Sequence, residues 1–367
     1  MRDAFTNNFV EHQEIGASVC VEVEGRVVVD LWGGYADIAR TRDWQADQLV
    51  NAFSVGKGVT ALVAAQCVDR DEISYDTRIA EIWPDFAAHN KEEMTLRDAL
   101  GHRVGLPALR SPLPPQAMYD WEFMCSALAN EIPWWTPGTS HGYHVNTFGF
   151  IVGEVLRRVT GKTIGQLIAE RIATPLSADI HLGCPPALHG RMAEFEWPGN
   201  PPPATIPQGL TDDQLLQFNT YYNPSGLSGA QTVNTTEWRQ AEIPSTNMHA
   251  SARGIARMYS ALAHDGSING VRLISGDVLR ESTREVSNGD DLVLGRHSRF
   301  AHGFQIPLPE RGFGPHAEAF GHFGAGGSVG FCDPIARVGF GYVMNQMGPR
   351  WQNPRNQALM AALYKSL

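Results

Sequence analysis

Stretches rich in β-formers lie at both ends of this chain, and the middle has a different character. Residues 16–34 read GASVCVEVEGRVVVDLWGG, in which the runs Ser18–Val23 and Arg26–Trp32 flank Glu24-Gly25, the pattern of a hairpin. Near the other end come Ala319–Phe323, Gly330–Asp333 and Arg337–Asn345, with Asp333-Pro334 marking a turn. From about 76 to 240, helical patches (Leu96–Leu100, Asp120–Ala129, Thr147–Thr160, Ile164–Ile172) alternate with Pro- and Trp-rich loops such as Pro112-Leu113-Pro114-Pro115. Residues 196–208, EWPGNPPPATIPQ, read as a long loop. Helices are expected over 54–70 and 249–265, and a short one over Pro354–Leu363. The assembly that accommodates this order is one sheet made from both chain ends, with a helical region inserted between them. The expected organisation is an α/β (α+β) domain from 1–75 and 245–367, and a mainly helical domain from 76–244.

Composition narrows the function classes. The 367 residues are 43% hydrophobic and 19% charged, enough apolar material for a sizeable core. A net charge of −10 without Lys/Arg-rich runs argues against nucleic-acid or anionic-membrane partners. Cys20, Cys67, Cys125, Cys184 and Cys332 are far apart and form no CxxC pair, so neither a disulfide framework nor a zinc site is expected. The first eight residues, MRDAFTNN, contain no apolar run of the export type, and no stretch reaches the ~18 apolar residues of a membrane span. A cytoplasmic setting is expected. No HExxH, P-loop or dinucleotide fingerprint is present, so no metal or other cofactor is expected.

Ser54-Val55-Gly56-Lys57 is the chain's single Ser-x-x-Lys. At the start of a helix it places both side chains one turn apart on one face. A lysine whose pKa is lowered there can take the serine's proton. The plainer reading of Ser54 is an N-cap. A second element, Pro137 to Phe150 (PGTSHGYHVNTFGF), delivers Tyr143 just before an apolar helix. A tyrosine facing Lys57 could exist partly as phenolate, act as base for Ser54 and return a proton to the leaving group; otherwise it is a packed tyrosine. The third element is Gly321-His322-Phe323-Gly324-Ala325-Gly326-Gly327-Ser328. Small residues on a strand let a substrate lie alongside as an added strand and leave an N–H facing a carbonyl oxygen. The alternative is a bulge or tight turn. His102 reads as structural, and Trp134, Trp135, Tyr221, Tyr222 and Phe323 as packing residues that could line an acyl pocket. Ala52-Phe53-Ser54-Val55-Gly56 fails the GxSxG elbow at its first glycine.

Together, FSVGKGVTALVAAQCVDRDEI, MTLRDALGHRVGLP (94–107), PGTSHGYHVNTFGFIVGEVLRRVTG (137–161) and FGHFGAGGSVGFCDP (320–334) resemble the serine β-lactamase/penicillin-binding-protein superfamily. The nearest likeness is to its class C β-lactamase-like branch, the family VIII carboxylesterases. The resemblance implies a β-lactamase/DD-peptidase-like fold: an antiparallel sheet flanked by helices, an inserted helical domain, and the active site between them. It implies Ser54 as nucleophile, Lys57 as proton acceptor or electrostatic activator, and Tyr143 as base/acid partner. The N–H groups of Ser54 and Ala325 would form the oxyanion hole, with His322, Phe323, Gly324 and Gly326 at the substrate. Two departures stand out. Tyr143 is followed by His144 and Val145, so the family's Tyr-x-Asn is missing and Asn146 comes one residue late. His322-Phe323-Gly324 stands where lactamases carry Lys-Thr-Gly. Both argue for neutral esters over β-lactams.

The expected function is hydrolysis of small carboxylic esters, with short acyl groups, through an acyl-Ser54 intermediate. The alternatives are an acyltransferase or amide/D-peptide hydrolase on the same scaffold, with weak β-lactamase activity, or a penicillin-binding sensor that stays acylated. A homo-oligomer is compatible with everything above.

Overall fold

The computed structural model describes residues 1–197, 205–227 and 229–367; residues 198–204 of the stretch read as a long loop therefore lie outside it. The two β-rich chain ends meet in one five-stranded sheet. Its strands are β1 (Gly16–Val23), β2 (Arg26–Gly34), β3 (Phe320–Phe323), β4 (Val329–Asp333) and β5 (Val338–Met344), in the spatial order β3-β4-β5-β1-β2. Every neighbouring pair is antiparallel. From near the chain's start, β1 takes an inner position and pairs with the central β5 from near its end, Ala17 opposite Met344. All of β1 except Val23 is buried, whereas β2 is an edge strand that exposes Val27 and Val28. That contrast follows from position: an inner strand has packed neighbours on both sides, an edge strand has solvent on one.

The helices that pack on or beside this sheet include α1 (Arg2–Glu11), α2 (Val55–Asp69), α3 (Phe148–Thr160), α4 (Ala252–Ala263) and α5 (Pro354–Tyr364). Helix α4 lies across β1, β4 and β5. It can come so close because β5 presents glycine on that face. A Cβ at Gly339 would sit 2.3 Å from Ser260 N, and one at Gly341 2.3 Å from Ala252 O. The outer face of α4 carries Arg253 and Arg257, paired with Asp30 at 2.6 Å and Glu22 at 2.6 Å. Helix α2 is buried from Val55 to Cys67 and packs against α3 and β3. A helix apolar all round belongs inside a core. Truncating its Leu62, which is fully buried, should cost ~3 kcal/mol.

Several elements depart from expectation. The helix expected from 249 starts at Ala252, because Ser251 caps it and His249–Ala250 instead form a short strand between Val50–Asn51 and Ile180–His181. This small sheet anchors the residues leading into Ser54, with Ala52 N donating to Met248 O at 2.8 Å. Helix α1 was not anticipated. Its few apolar residues mark no stripe, and it is held by docking, with Phe5 buried and Asn8 Nδ2 donating to Arg355 O at 3.2 Å. A polar hairpin, Ser287–Asp291 with Arg296–Phe300, was also not anticipated; Gln305 bridges it to Gly321 on β3.

Candidate active site

Ser54 occupies the N-cap of α2 but does not act as a capping residue. Its side chain accepts no amide hydrogen bond from the helix, whereas Thr95, Thr163 and Ser251 each cap theirs. The preceding Phe53 has φ +50°, unusual for a bulky residue and costing about 1–3 kcal/mol. Edge contacts with Phe195 at 4.9 Å and Trp197 at 5.8 Å hold it in place. The turn thus presents the Ser54 hydroxyl to Lys57 rather than to the helix amides.

Lys57 is 0% exposed. Its Nζ lies 3.2 Å from Ser54 Oγ, 2.7 Å from Val145 O and 3.0 Å from Ser245 O. Burial drives its pKa well below 10.5, and no acidic neighbour opposes the shift. A neutral amine has two N–H groups and one lone pair. The two carbonyls can take both N–H groups, which leaves the lone pair for the serine hydroxyl.

Tyr143 and Val145 come from one turn ahead of α3, so a single segment supplies both a phenol and a lysine-binding carbonyl. The Tyr143 ring centre is 4.7 Å from Lys57 Nζ and stacks on Phe300 at 5.7 Å. Its hydroxyl has no hydrogen-bond partner among the described residues. Burial raises the phenol well above 10, while the nearby Ser54 hydroxyl pulls it partway back. The partial phenolate expected from a facing lysine is therefore not the resting state. Burial also disfavours the Lys57 cation that would stabilise it.

Asn146, one residue beyond the position expected for the family's asparagine, ties loops together through Thr220 O at 3.0 Å and Thr246 Oγ1 at 3.4 Å. His102 packs against Tyr143, Phe148 and Phe300, with its Nδ1 accepting from His144 N at 3.2 Å.

At the end of β3, His322 Nδ1 pairs with Phe323 O at 2.7 Å; a carbonyl only accepts, so Nδ1 carries the proton and Nε2 is a bare acceptor. That Nε2 has no partner among the described residues, and the ring centre lies 6.0 Å from that of Tyr143. Burial and then Lys57 lower His322 to about 3, so it is neutral at ordinary pH.

The outer edge of β3 is not open to an added strand. Gln305 exchanges backbone bonds with Gly321, and its side chain accepts from Phe323 N at 2.9 Å. Gly324 serves a close approach: a Cβ there would meet Ala52 O at 2.4 Å, and Ser328 Oγ donates to the same oxygen at 2.9 Å. The Ala325 loop is thereby joined to the residue two before Ser54. The N–H groups of Ser54 and Ala325 donate to no acceptor among the described residues. Gly326, expected at the substrate, is instead buried at φ +78°, where a Cβ would lie 2.9 Å from the methyl of Met344.

A cavity of about 590 Å³ opens beside Tyr143, with Phe300, Phe323, Trp351 and Tyr221 among its walls. Of the aromatics considered for an acyl pocket, Trp134 instead lies under Arg110 at 3.9 Å and Trp135 packs on His144. Tyr222 contacts Phe218.

The residues missed from sequence are Ser245, Asp291 and Trp351. Ser245 supplies a carbonyl to Lys57 and accepts from Gly149 N at 2.6 Å. Asp291 holds the Tyr143 turn, accepting from Tyr143 N at 3.0 Å, Val293 N at 2.9 Å and Leu294 N at 2.8 Å. Trp351 meets Tyr143 edge-on at 4.9 Å. A backbone carbonyl leaves no trace in residue type, and Asp291 sits in a polar segment that reads only as a turn.

Three comparisons bear on this geometry. A family model described as Beta-lactamase matches residues 2–365. A protein of Mycobacterium tuberculosis named Esterase/beta-lactamase LipL is 34% identical over 359 residues, which cover 94% of this chain and 80% of that protein. A solved structure titled as a family VIII carboxylesterase superposes with a TM-score of 0.91 at 40% identity, covering 100% of this chain and 96% of the other. A penicillin-binding protein homolog from Caulobacter crescentus gives 0.91 at 38% identity, with the same coverage. The fold is that of the β-lactamases and DD-peptidases. No described helix is long and apolar enough to cross a membrane.

Proposed function

Because the chain belongs to the β-lactamase family, we propose that it is a serine hydrolase of carboxylic esters with short acyl groups, working through an acyl-Ser54 intermediate. The observation that carries this reading is the buried Lys57, held by two carbonyls with Ser54 Oγ as its third neighbour at 3.2 Å. The esterase names among its relatives support the choice of ester over amide.

On this reading Ser54 and Lys57 come from the sheet-bearing part, 1–75 with 245–367, and Tyr143 from the helical part, 76–244. Neutral Lys57 takes the Ser54 proton as Oγ attacks the carbonyl carbon. The N–H groups of Ser54 and Ala325 receive the oxyanion, each donor being worth ~10²–10³ in rate. Tyr143 gives its phenolic proton to the departing alkoxide and regains one from the Lys57 ammonium, 4.7 Å from its ring centre. Deacylation runs the same transfers backwards with water in place of the alcohol. Tyr143 passes its proton to Lys57 and takes one from water, and Lys57 returns one to Ser54. His322, neutral and with a bare Nε2, faces the tyrosine and tunes it.

Fluorophosphonate labelling followed by peptide mass spectrometry tests the assignment. The label is expected on Ser54, and Ser54→Ala is expected to abolish both labelling and 4-nitrophenyl acetate turnover. A label on another serine, or full turnover by the variant, overturns the reading.

A further inference from the structure

The cavity beside Tyr143 is basic, in a chain whose net charge is −10. Four arginines line it, and one of them, Arg299, is already neutralised by Glu285 at 2.7 Å. Arg296 and Arg350 are not. The guanidinium of Arg296 is half-buried over the Trp351 ring at 5.3 Å and makes no hydrogen bond or ion pair with any described residue. Arg350 is exposed at the rim, and its guanidinium likewise has no partner among the described residues. Arg311 reaches His297 O at 3.1 Å and the exposed Glu310 at 3.1 Å, but its Nε is buried and unpartnered.

The nearest buried acid, Asp291, attracts Arg296 through space but makes no ion pair with it. Asp291 Oδ1 already accepts three backbone amides, and its Oδ2 accepts from Ser298 Oγ at 2.8 Å. Burial, and then repulsion by Arg311, hold Arg296 below its ordinary pKa against the attraction of Asp291. Among the described residues Arg296 and Arg350 have no paired carboxylate, Arg311 has only the exposed Glu310, and the cluster carries an excess of positive charge.

Trp351 forms a wall of this cavity and packs on Tyr143, the residue assigned to protonate the leaving alkoxide. The cavity thus lies beyond Trp351 on the side of Tyr143, where the proposed mechanism releases the alcohol. We propose that the cavity takes the alcohol portion of the ester, and that Arg296, Arg311 and Arg350 recognise an anionic group carried on it, a carboxylate, phosphate or sulfate. This rests on the serine-hydrolase reading and corrects one part of the sequence expectation. The cation lost with Lys-Thr-Gly does not leave the site suited only to neutral esters; the hairpin and the loop before α5 supply others.

The test compares 4-acetoxybenzoate with its methyl ester, which share an acyl group and differ in charge on the alcohol side. The ratio of their kcat/KM values is measured in the native enzyme, Arg296→Gln and Arg350→Gln, so that intrinsic reactivity cancels. The anionic-over-neutral ratio is expected to fall ~10-fold or more in Arg296→Gln and ~3-fold in Arg350→Gln. In the native enzyme it should fall with 0.5 M NaCl, because screening weakens the attraction. Arg350 is exposed, so that variant is expected to fold even where Arg296→Gln does not. A ratio unmoved by both variants and by salt, with the neutral ester still turned over, overturns the anion site alone. A preference seen only for an anion on the acyl side, as in 4-nitrophenyl hemisuccinate, overturns its placement. Failure to turn over any ester, with no label on Ser54, overturns the hydrolase reading and the anion site with it.

Discussion

Two lysines of this protein are fully buried, and they are built differently. Lys91 Nζ donates to three carbonyls, Ala88 O at 2.6 Å, Ala129 O at 3.1 Å and Glu131 O at 2.9 Å. Three acceptors suit the three N–H groups of an ammonium, and the nearby Glu131 carboxylate opposes the burial, leaving a pKa of about 8. Lys57 has two carbonyls and one hydroxyl, no opposing acid, and a pKa driven further down by burial alone. Replacing one carbonyl with a serine hydroxyl, and removing one carboxylate, separates a lysine that ties loops together from one that can accept a proton. Burial by itself does not make a lysine catalytic; its third partner does.

The widest separation between the two should appear in activity. Lys57→Met is expected to lower kcat/KM for 4-nitrophenyl acetate by ~10²–10⁴, the range for removing a positioned base. Lys91→Met, assayed on the folded fraction, should stay within about threefold of the native enzyme. Equal losses in both would erase the distinction.

Next comes Tyr143→Phe, with kcat lowered ~10² and KM little changed. Because the Tyr143 hydroxyl is buried without a partner, its removal should leave stability unchanged or raise it by up to ~1 kcal/mol, read by urea denaturation. A clear loss of stability would mean that the hydroxyl is structurally bonded.

Stability should rank the lysines in the opposite sense to activity. Lys91→Met strands three carbonyl oxygens and is expected to cost ~2–4 kcal/mol. The smallest effect is the pH slope of stability. Both lysines have folded pKa values below the unfolded 10.5, so the unfolded chain binds more protons between the two values and stability rises with pH across that window. For Lys91 the window runs from about 8 to 10.5, and for Lys57 it opens lower. Below about pH 8, Lys57→Met should flatten the measured slope and Lys91→Met should not. On acidification kcat/KM should fall as Lys57 is protonated, while His322, at about 3, contributes no limb.

The same contrast explains what could be read from sequence. Ser54, Lys57 and Tyr143 were legible because their chemistry belongs to the side chain and their spacing to a helix start or turn. The sheet was legible because its strands carry β-formers at both chain ends. Lys57's acceptors, Val145 O and Ser245 O, were not, since any residue offers a carbonyl. Lys91 sits in a stretch that looks exposed, Asn90-Lys91-Glu92-Glu93, and only tertiary packing buries it. Gly324 and Gly326 look alike in the sequence. One clears Ala52 O beside the nucleophile and the other fits against Met344, a difference set by neighbours distant in the chain. Arg296, Arg311 and Arg350 come from separate segments of the chain, so no run of basic residues announced them.

To serve as the base for Ser54, Lys57 must be neutral in the resting enzyme. The chain has four lysines, Lys57, Lys91, Lys162 and Lys365, which makes the titration of each Cε resonance by NMR with ¹³C-labelled lysine tractable. The expected result is one resonance, lost in Lys57→Met, that titrates below that of Lys91, with Lys91 near 8. A Lys57 resonance that keeps its ammonium shift up to or beyond the Lys91 midpoint would contradict the assignment of Lys57 as the base for Ser54.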